Sequence, residues 1–216
     1  LNSTYIKGLQ QHISEMDGRI HASFHPDRVE SGRLSSSDPN FQNIPRNMTG
    51  LFIPAEKHKF VYYDLSQIEL RVWAFYSQDE QLKKDLEEDI HAQVASLIEG
   101  VPVEQITKEQ RTTAKGTSFG LLYGLGLDNM AKRLDKSEEE CKEIIQRFLG
   151  KYPKGVAWIR TVRQEAVDKG YLVEFFGRKR RFYNLCSDDR VIREHALREA
   201  VNYKIQATAA IAMLYK

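Results

Sequence analysis

The sequence predicts an α+β, mostly helical fold, and three observations predict it. Apolar residues recur at helical spacing through residues 79–169 and again from Val191 onward. The β-branched and aromatic runs are brief: I-H-A-S-F-H (20–25), F-V-Y-Y-D (60–64) and the arms of a hairpin turning at Gly177. With 216 residues, 41% hydrophobic and 29% charged, the chain has the make-up of an ordinary globular protein, long enough for one large domain or two small ones.

Taken in order, residues 1–30 alternate short apolar pairs with polar residues and give one strand, at 20–25. S-G-R-L-S-S-S-D-P-N-F-Q-N-I-P-R (31–46) is too rich in Ser, Asn, Pro and Gly for a regular element, so it reads as an extended loop with turns. Its hydroxyls, amides and arginines suit a polar surface, or contacts to a sugar-phosphate backbone and base edges. The run at 60–64 reads as a strand ending in Asp64, a place for a metal ligand or for a turn residue. Beyond it Leu65, Ile68, Leu70, Val72 and Trp73 are apolar, and Tyr63, Trp73, Phe75 and Tyr76 are assigned to the core.

Residues 79–110 are charged and helical, with Ile90, Val94, Leu97 and Ile98 on one stripe and His91 beside it. Thr107 and Gln110 form a capping box, so a helix starts just ahead of Arg111, where its dipole and free N–H groups favour an anion. Residues 137–148 form a capped amphipathic helix broken at Tyr152-Pro153, and 157–169 a second one ended by Gly170. In the hairpin, Arg178, Lys179, Arg180 and Arg181 fit a solvated turn or a phosphate-contacting patch. Residues 191–216 read as one long helix. Its Arg198, Asn202 and Gln206 make a polar stripe that needs partners, from the protein or from a DNA minor groove.

The most informative stretch is R-T-T-A-K-G-T-S-F-G-L-L-Y-G-L-G (111–126). In a helix, steps of four residues drift by only ~40°, so Arg111, Lys115, Phe119 and Tyr123 share one slowly winding stripe. Two cations precede two aromatics. That order fits a solvated face beside core rings, and it also fits a nucleoside triphosphate, charged at one end and flat at the other. Glycine costs a helix ~1 kcal/mol against alanine, so Gly116, Gly120, Gly124 and Gly126 need a reason. Close approach of a ligand or another backbone is one; helix termination at Gly124 and Gly126 is another.

Arg-x-x-x-Lys-x-x-x-Phe-Gly-x-x-Tyr-Gly resembles the nucleotide-binding fingers helix of the family A DNA polymerases. The 31–46 run resembles that family's Thr-Gly-Arg-Leu-Ser-Ser-x-x-Pro-Asn-Leu-Gln-Asn-Ile-Pro segment along the primer–template duplex. D-L-S-Q-I-E-L-R (64–71) resembles its first catalytic motif, departing at Leu65, and D-I-H (89–91) its Asp-Ile-His. The long helix resembles Arg-x-x-x-Asn-x-x-x-Gln-Gly-Thr-Ala-Ala, with Ala207 where the family has Gly.

The resemblance implies a partial palm with a short antiparallel sheet plus a helical fingers subdomain. Residues 1–84 would be palm with the first catalytic motif, 85–183 fingers, and 184–216 a helix returning to the palm. The implied reaction is attack of a primer 3′-hydroxyl on a deoxynucleoside triphosphate. Asp64 and the Leu65 carbonyl would bind two Mg2+ ions. Arg111, Lys115 and His91 would hold the triphosphate, with Phe119 and Tyr123 near sugar and base and Gln67 and Ile68 alongside. Glu69 would exclude a ribose 2′-hydroxyl, and Arg33, Gln42, Asn43, Arg198, Asn202 and Gln206 would meet the DNA. The family's second carboxylate motif, His-Asp-Glu, does not occur in the sequence, so a second chain or a C-terminal segment would complete the palm. The Asp188-Asp189 pair lies in a polar loop and is a poor substitute.

Rival classes are a fragment that grips primer–template DNA without chemistry, a single-subunit RNA polymerase, which Glu69 and the 31–46 run oppose, and a helical protein with no nucleic-acid role. A net charge of +2 permits nucleic-acid partners without demanding them. No apolar run is long enough to span a bilayer, so no membrane partner is expected. Cys141 and Cys186 have no metal-type spacing, which points to a reducing, cytoplasm-like compartment. Leu1 in place of an initiator Met suggests a fragment or a processed chain.

Overall fold

A computed structural model of the chain describes residues 7–62, 64–123 and 126–214, with the backbone alone described at positions 46, 119 and 121–123. It is mostly helical with two small antiparallel sheets. The N-terminal part holds α1 (Gly8–Gln10), β1 (Ser23–His25), β2 (Ser35–Ser37) and 3-10 turns at Phe41–Asn43 and Arg46–Leu51. The helices α2 (Ile68–Ser77), α3 (Glu80–Glu87), α4 (Ile90–Glu99), α5 (Lys108–Tyr123), α6 (Leu127–Leu134), α7 (Glu138–Lys151) and α8 (Pro153–Lys169) follow. A hairpin of β3 (Tyr171–Val173) and β4 (Lys179–Arg181) then leads to α9 (Arg190–Leu214).

The core is built around Trp73 on α2. Its ring stacks on Phe148 at 6.1 Å between centroids, meets Tyr152 edge-on at 5.8 Å, and donates from Nε1 to the Gly155 carbonyl at 3.2 Å. Residue 155 must be glycine for this packing, because a Cβ there would lie 2.4 Å from Trp73 Cζ2. Around Trp73, α4 lies along α5, α8 along α9, and α2 against both α8 and α9.

Two buried carboxylates tie the helices together around that core. Asp79 caps α3 with Oδ1, which accepts from Gln81 N and Leu82 N; its Oδ2 accepts from Lys154 N and Gly155 N at 3.0 Å. One side chain thus satisfies the leading N–H groups of two helices. Asp85 accepts from Tyr152 Oη and Lys151 Nζ, each at 2.7 Å. Burial, and then Asp85, push the Tyr152 phenol well above the usual tyrosine range.

Several local expectations hold. Ser137 and Glu140 form a capping box on α7, Thr107 and Gln110 hydrogen-bond reciprocally ahead of Arg111, and Gly170 ends α8 in the left-handed region. Others need correction. At 60–62 and 64 there is no strand, and Val61 is 83% exposed, because among the described residues no strand pairs with this run. The 20–25 strand shortens to Ser23–His25, and its partner is Ser35–Ser37, inside the stretch read as irregular. Phe75 sits at the surface against Phe175, while Trp73 is buried and Tyr76 packs on Trp158; Tyr63 lies outside the described residues. The hairpin's basic cluster is partly internal. Arg180 pairs with Glu30 and Glu199 and lies 4.9 Å from the Phe182 ring centroid, and Lys179 sits 3.6 Å over Tyr171.

Candidate functional site

A turn at residues 66–67 leads from the exposed Asp64 into α2 through Gln67, whose φ of 55° is left-handed. A non-glycine residue in that region costs energy and persists only where its surroundings hold it. Arg71 supplies the hold. Its Nε donates to the Ser66 carbonyl at 3.0 Å and its Nη2 to the Leu86 carbonyl at 3.3 Å, tying the Asp64 turn to the end of α3. Sequence reasoning gave Arg71 no role; as the last residue of the 64–71 motif it carried a signal.

Opposite this turn stand the N-terminus of α4 and the first turns of α5. Asp64, Leu65, Ser66, Gln67, Ile68, Glu69, His91, Arg111 and Lys115 line a single open cleft of about 290 Å³. All but Ser66 were assigned to metal or nucleotide from the sequence. The backbone of Phe119 and Tyr123 continues α5 beyond Lys115, and their side chains lie outside the described residues.

The cleft's electrostatics are mixed. Arg111 donates from Nε to Asp89, and Arg33 donates from Nη2 to Glu69, so a residue assigned to DNA and one assigned to the sugar meet directly. Burial pushes the Asp89 carboxyl up, but the Arg111 hydrogen bond and the backbone N–H groups of Ala92 and His91 outweigh it and hold it low. His91 is buried. Its burial, aided by the Arg111 and Lys115 charges against the pull of Asp89, lowers the imidazole below its usual range, leaving it neutral at neutral pH.

The remaining assigned residues are dispersed. Gln42 and Asn43 are exposed on a 3-10 turn, and Asn43 lines a separate cavity beside Asn40. Arg198, Asn202 and Gln206 lie half-buried along α9, and Asn202 Oδ1 is buried with no hydrogen-bond partner among the described residues. The glycine argument needs correction at Gly116. A Cβ there would lie 1.9 Å from Arg133 Nη2, so the close neighbour within the chain is a side chain of α6 rather than another backbone. Gly126 is the N-cap of α6. Gly124 lies outside the described residues.

Residues 1–214 match the DNA polymerase family A pattern. The chain belongs to DNA polymerase family A. It is 40% identical to the thermostable DNA polymerase I of Thermus aquaticus over 99% of this chain and 27% of that protein. With DNA polymerase I of Pseudomonas aeruginosa the identity is 36% over 99% of this chain and 24% of that one. The chain thus spans about a quarter of the length of these family A relatives. It also superimposes, with a TM-score of 0.85 and 35% identity, on the POL domain of Pol1 from M. smegmatis, solved in complex with DNA primer-template and dNTP; 96% of this chain and 38% of that one are covered.

Proposed function

We propose that the chain carries the nucleotide-binding part of a template-directed DNA polymerase, which adds a deoxynucleotide to a primer 3′-hydroxyl and releases pyrophosphate. The cleft is the observation that carries this reading: three separate chain segments, one from each of three motifs, bring together eight residues assigned from the sequence to metal or nucleotide. Family membership supports it, as does likeness to a POL domain whose complex holds DNA primer-template and dNTP.

In this reading Arg111 and Lys115 grip the triphosphate, and neutral His91 hydrogen-bonds to it without adding charge. Phe119 and Tyr123 continue the same helix toward sugar and base. Glu69 walls off the 2′ position. Arg33, Gln42, Asn43, Arg198, Asn202 and Gln206 face primer–template DNA, and the buried Asn202 Oδ1 fits a partner from outside the chain. The exposed Asp64 carboxylate and the Leu65 carbonyl are hard oxygen donors of the kind Mg2+ takes, and they fit part of a metal site. Magnesium ions held by the Asp64 carboxylate and the Leu65 carbonyl would supply positive charge for activating the 3′-hydroxyl and steadying the leaving oxygens. Residues 1–84 form palm, 85–183 fingers and 184–216 a return to the palm, completed by a further segment or chain.

Primer extension by the chain combined with a polymerase fragment bearing the His-Asp-Glu motif, with each class of nucleoside triphosphate, tests the proposal; extension confined to deoxynucleotides supports it, and equal or exclusive use of ribonucleotides refutes it. Lys115→Ala should weaken deoxynucleoside triphosphate binding by roughly 10- to 150-fold, the worth of one charge-assisted hydrogen bond of ~1.5–3 kcal/mol. Lys115 is exposed, so the fold should be unaffected. Equilibrium titration checks this, and an unchanged affinity removes Lys115 from the site. Glu69→Ala should shift the ratio of deoxy- to ribonucleotide incorporation toward ribonucleotides by opening the space beside the sugar. A ratio that stays put makes Glu69 a structural partner of Arg33.

A further inference from the structure

We propose that Asp89 is the positioning residue of the cleft, holding Arg111 and the His91 end of α4 together so that both face the triphosphate. The inference rests on the nucleotide reading above and adds a residue which that reading does not use.

Asp89 divides its two oxygens between two elements. Oδ1 caps α4, accepting from His91 N at 3.1 Å and Ala92 N at 3.3 Å. Oδ2 accepts from Arg111 Nε on α5. The N-terminal turn of α4 and the early turns of α5 are therefore joined through one carboxylate, and each contributes a side chain to the same cleft. The mode of contact matters. A carboxylate that took both Nη groups would compete with phosphate for Arg111. Contact through Nε leaves the Nη1 and Nη2 groups to bind oxygens of a ligand. An arginine on a flexible stem loses rotamer freedom when it binds, and a side chain already held by Asp89 has lost it beforehand.

An opposing effect makes the inference testable by sign. Asp89 is also a negative charge close to a site for an anion, so as a bare charge it disfavours triphosphate. Replacing it with a neutral capping residue removes both effects. If positioning dominates, binding weakens; if repulsion dominates, binding tightens.

The experiment titrates the 216-residue chain with a fluorescent deoxynucleoside triphosphate and, separately, with the corresponding monophosphate. Asp89→Asn and Asp89→Ser keep an N-cap oxygen for α4 while giving up the ion pair. Each should weaken triphosphate binding about 3- to 10-fold, the cost of immobilising one long side chain anew, and leave monophosphate binding unchanged. In an Arg111→Ala background the same substitutions should weaken nothing, because Asp89 acts through Arg111. Tighter triphosphate binding by both variants overturns the proposal. So does an equal loss in both backgrounds, or a loss shared by the monophosphate, either of which marks a purely structural role. Failure of the nucleotide reading has its own signature: the unsubstituted chain does not bind triphosphate, or Arg111→Ala binds it as well as the unsubstituted chain does, and either result overturns this inference too.

Discussion

Purified alone, the 216-residue chain is expected to bind primer–template DNA and to extend it at least ~10³-fold more slowly than a polymerase with a complete pair of metal-binding carboxylates. The carboxylates that line the described cleft are Asp64 and Glu69, and Glu69 accepts from Arg33. Two-metal chemistry holds its ions ~3.5–4 Å apart, and their mutual repulsion must be offset by anionic ligands on both. One carboxylate and a carbonyl offset little of it. Asp189 is a poor candidate for the second ligand, since its Oδ1 accepts from Val191 N at the start of α9. Neither it nor Asp188 lines the cleft. The measurement is magnesium-dependent extension by the chain, with and without an added polymerase fragment bearing the His-Asp-Glu motif. Rescue by the fragment supports the divided palm. Robust extension by the chain alone would mean that a carboxylate outside the described cleft completes the site.

Asp79→Ala should lower stability by about 3 kcal/mol or more. Each lost helix cap costs ~0.5–2 kcal/mol, and each buried N–H left without a partner ~1–3 kcal/mol. Asp79 is 2% exposed and serves four N–H groups on two helices, so water cannot readily take its place. For a chain of this length the melting temperature should fall by roughly 6–12 °C. Asp79→Asn should be intermediate, because its one amide oxygen can cap a single helix while its NH2 faces the donors of the other. Thermal melts of the three proteins decide it. A loss below about 1 kcal/mol for Asp79→Ala would show that the second cap contributes nothing.

Those same N–H groups explain one boundary that local reasoning missed. In the sequence, Tyr152-Pro153 reads as a break and the second long helix starts at residue 157. The helix begins at Pro153 because Asp79, far away in sequence, supplies the oxygen. The run at 60–64 fails in the opposite direction. Its residue types favour a strand, yet a strand forms only against a partner, and among the described residues it has none. Arg180 shows the same dependence, for its partners Glu30 and Glu199 come from distant parts of the chain.

By itself the sequence determined what depends on local spacing and residue type. The helical character, the capping boxes at Thr107 and Ser137, the hairpin at Gly177 and the stripe of Arg111 and Lys115 are all encoded within a few residues. The motifs also named eight residues of the cleft. The tertiary structure alone decided how those residues meet: that Arg33 reaches Glu69, that Asp89 holds Arg111 while capping α4, and that Arg133 fills the space over Gly116. Those contacts join segments separated along the chain, and their geometry follows from how α2, α4, α5 and α6 pack, which no local window contains.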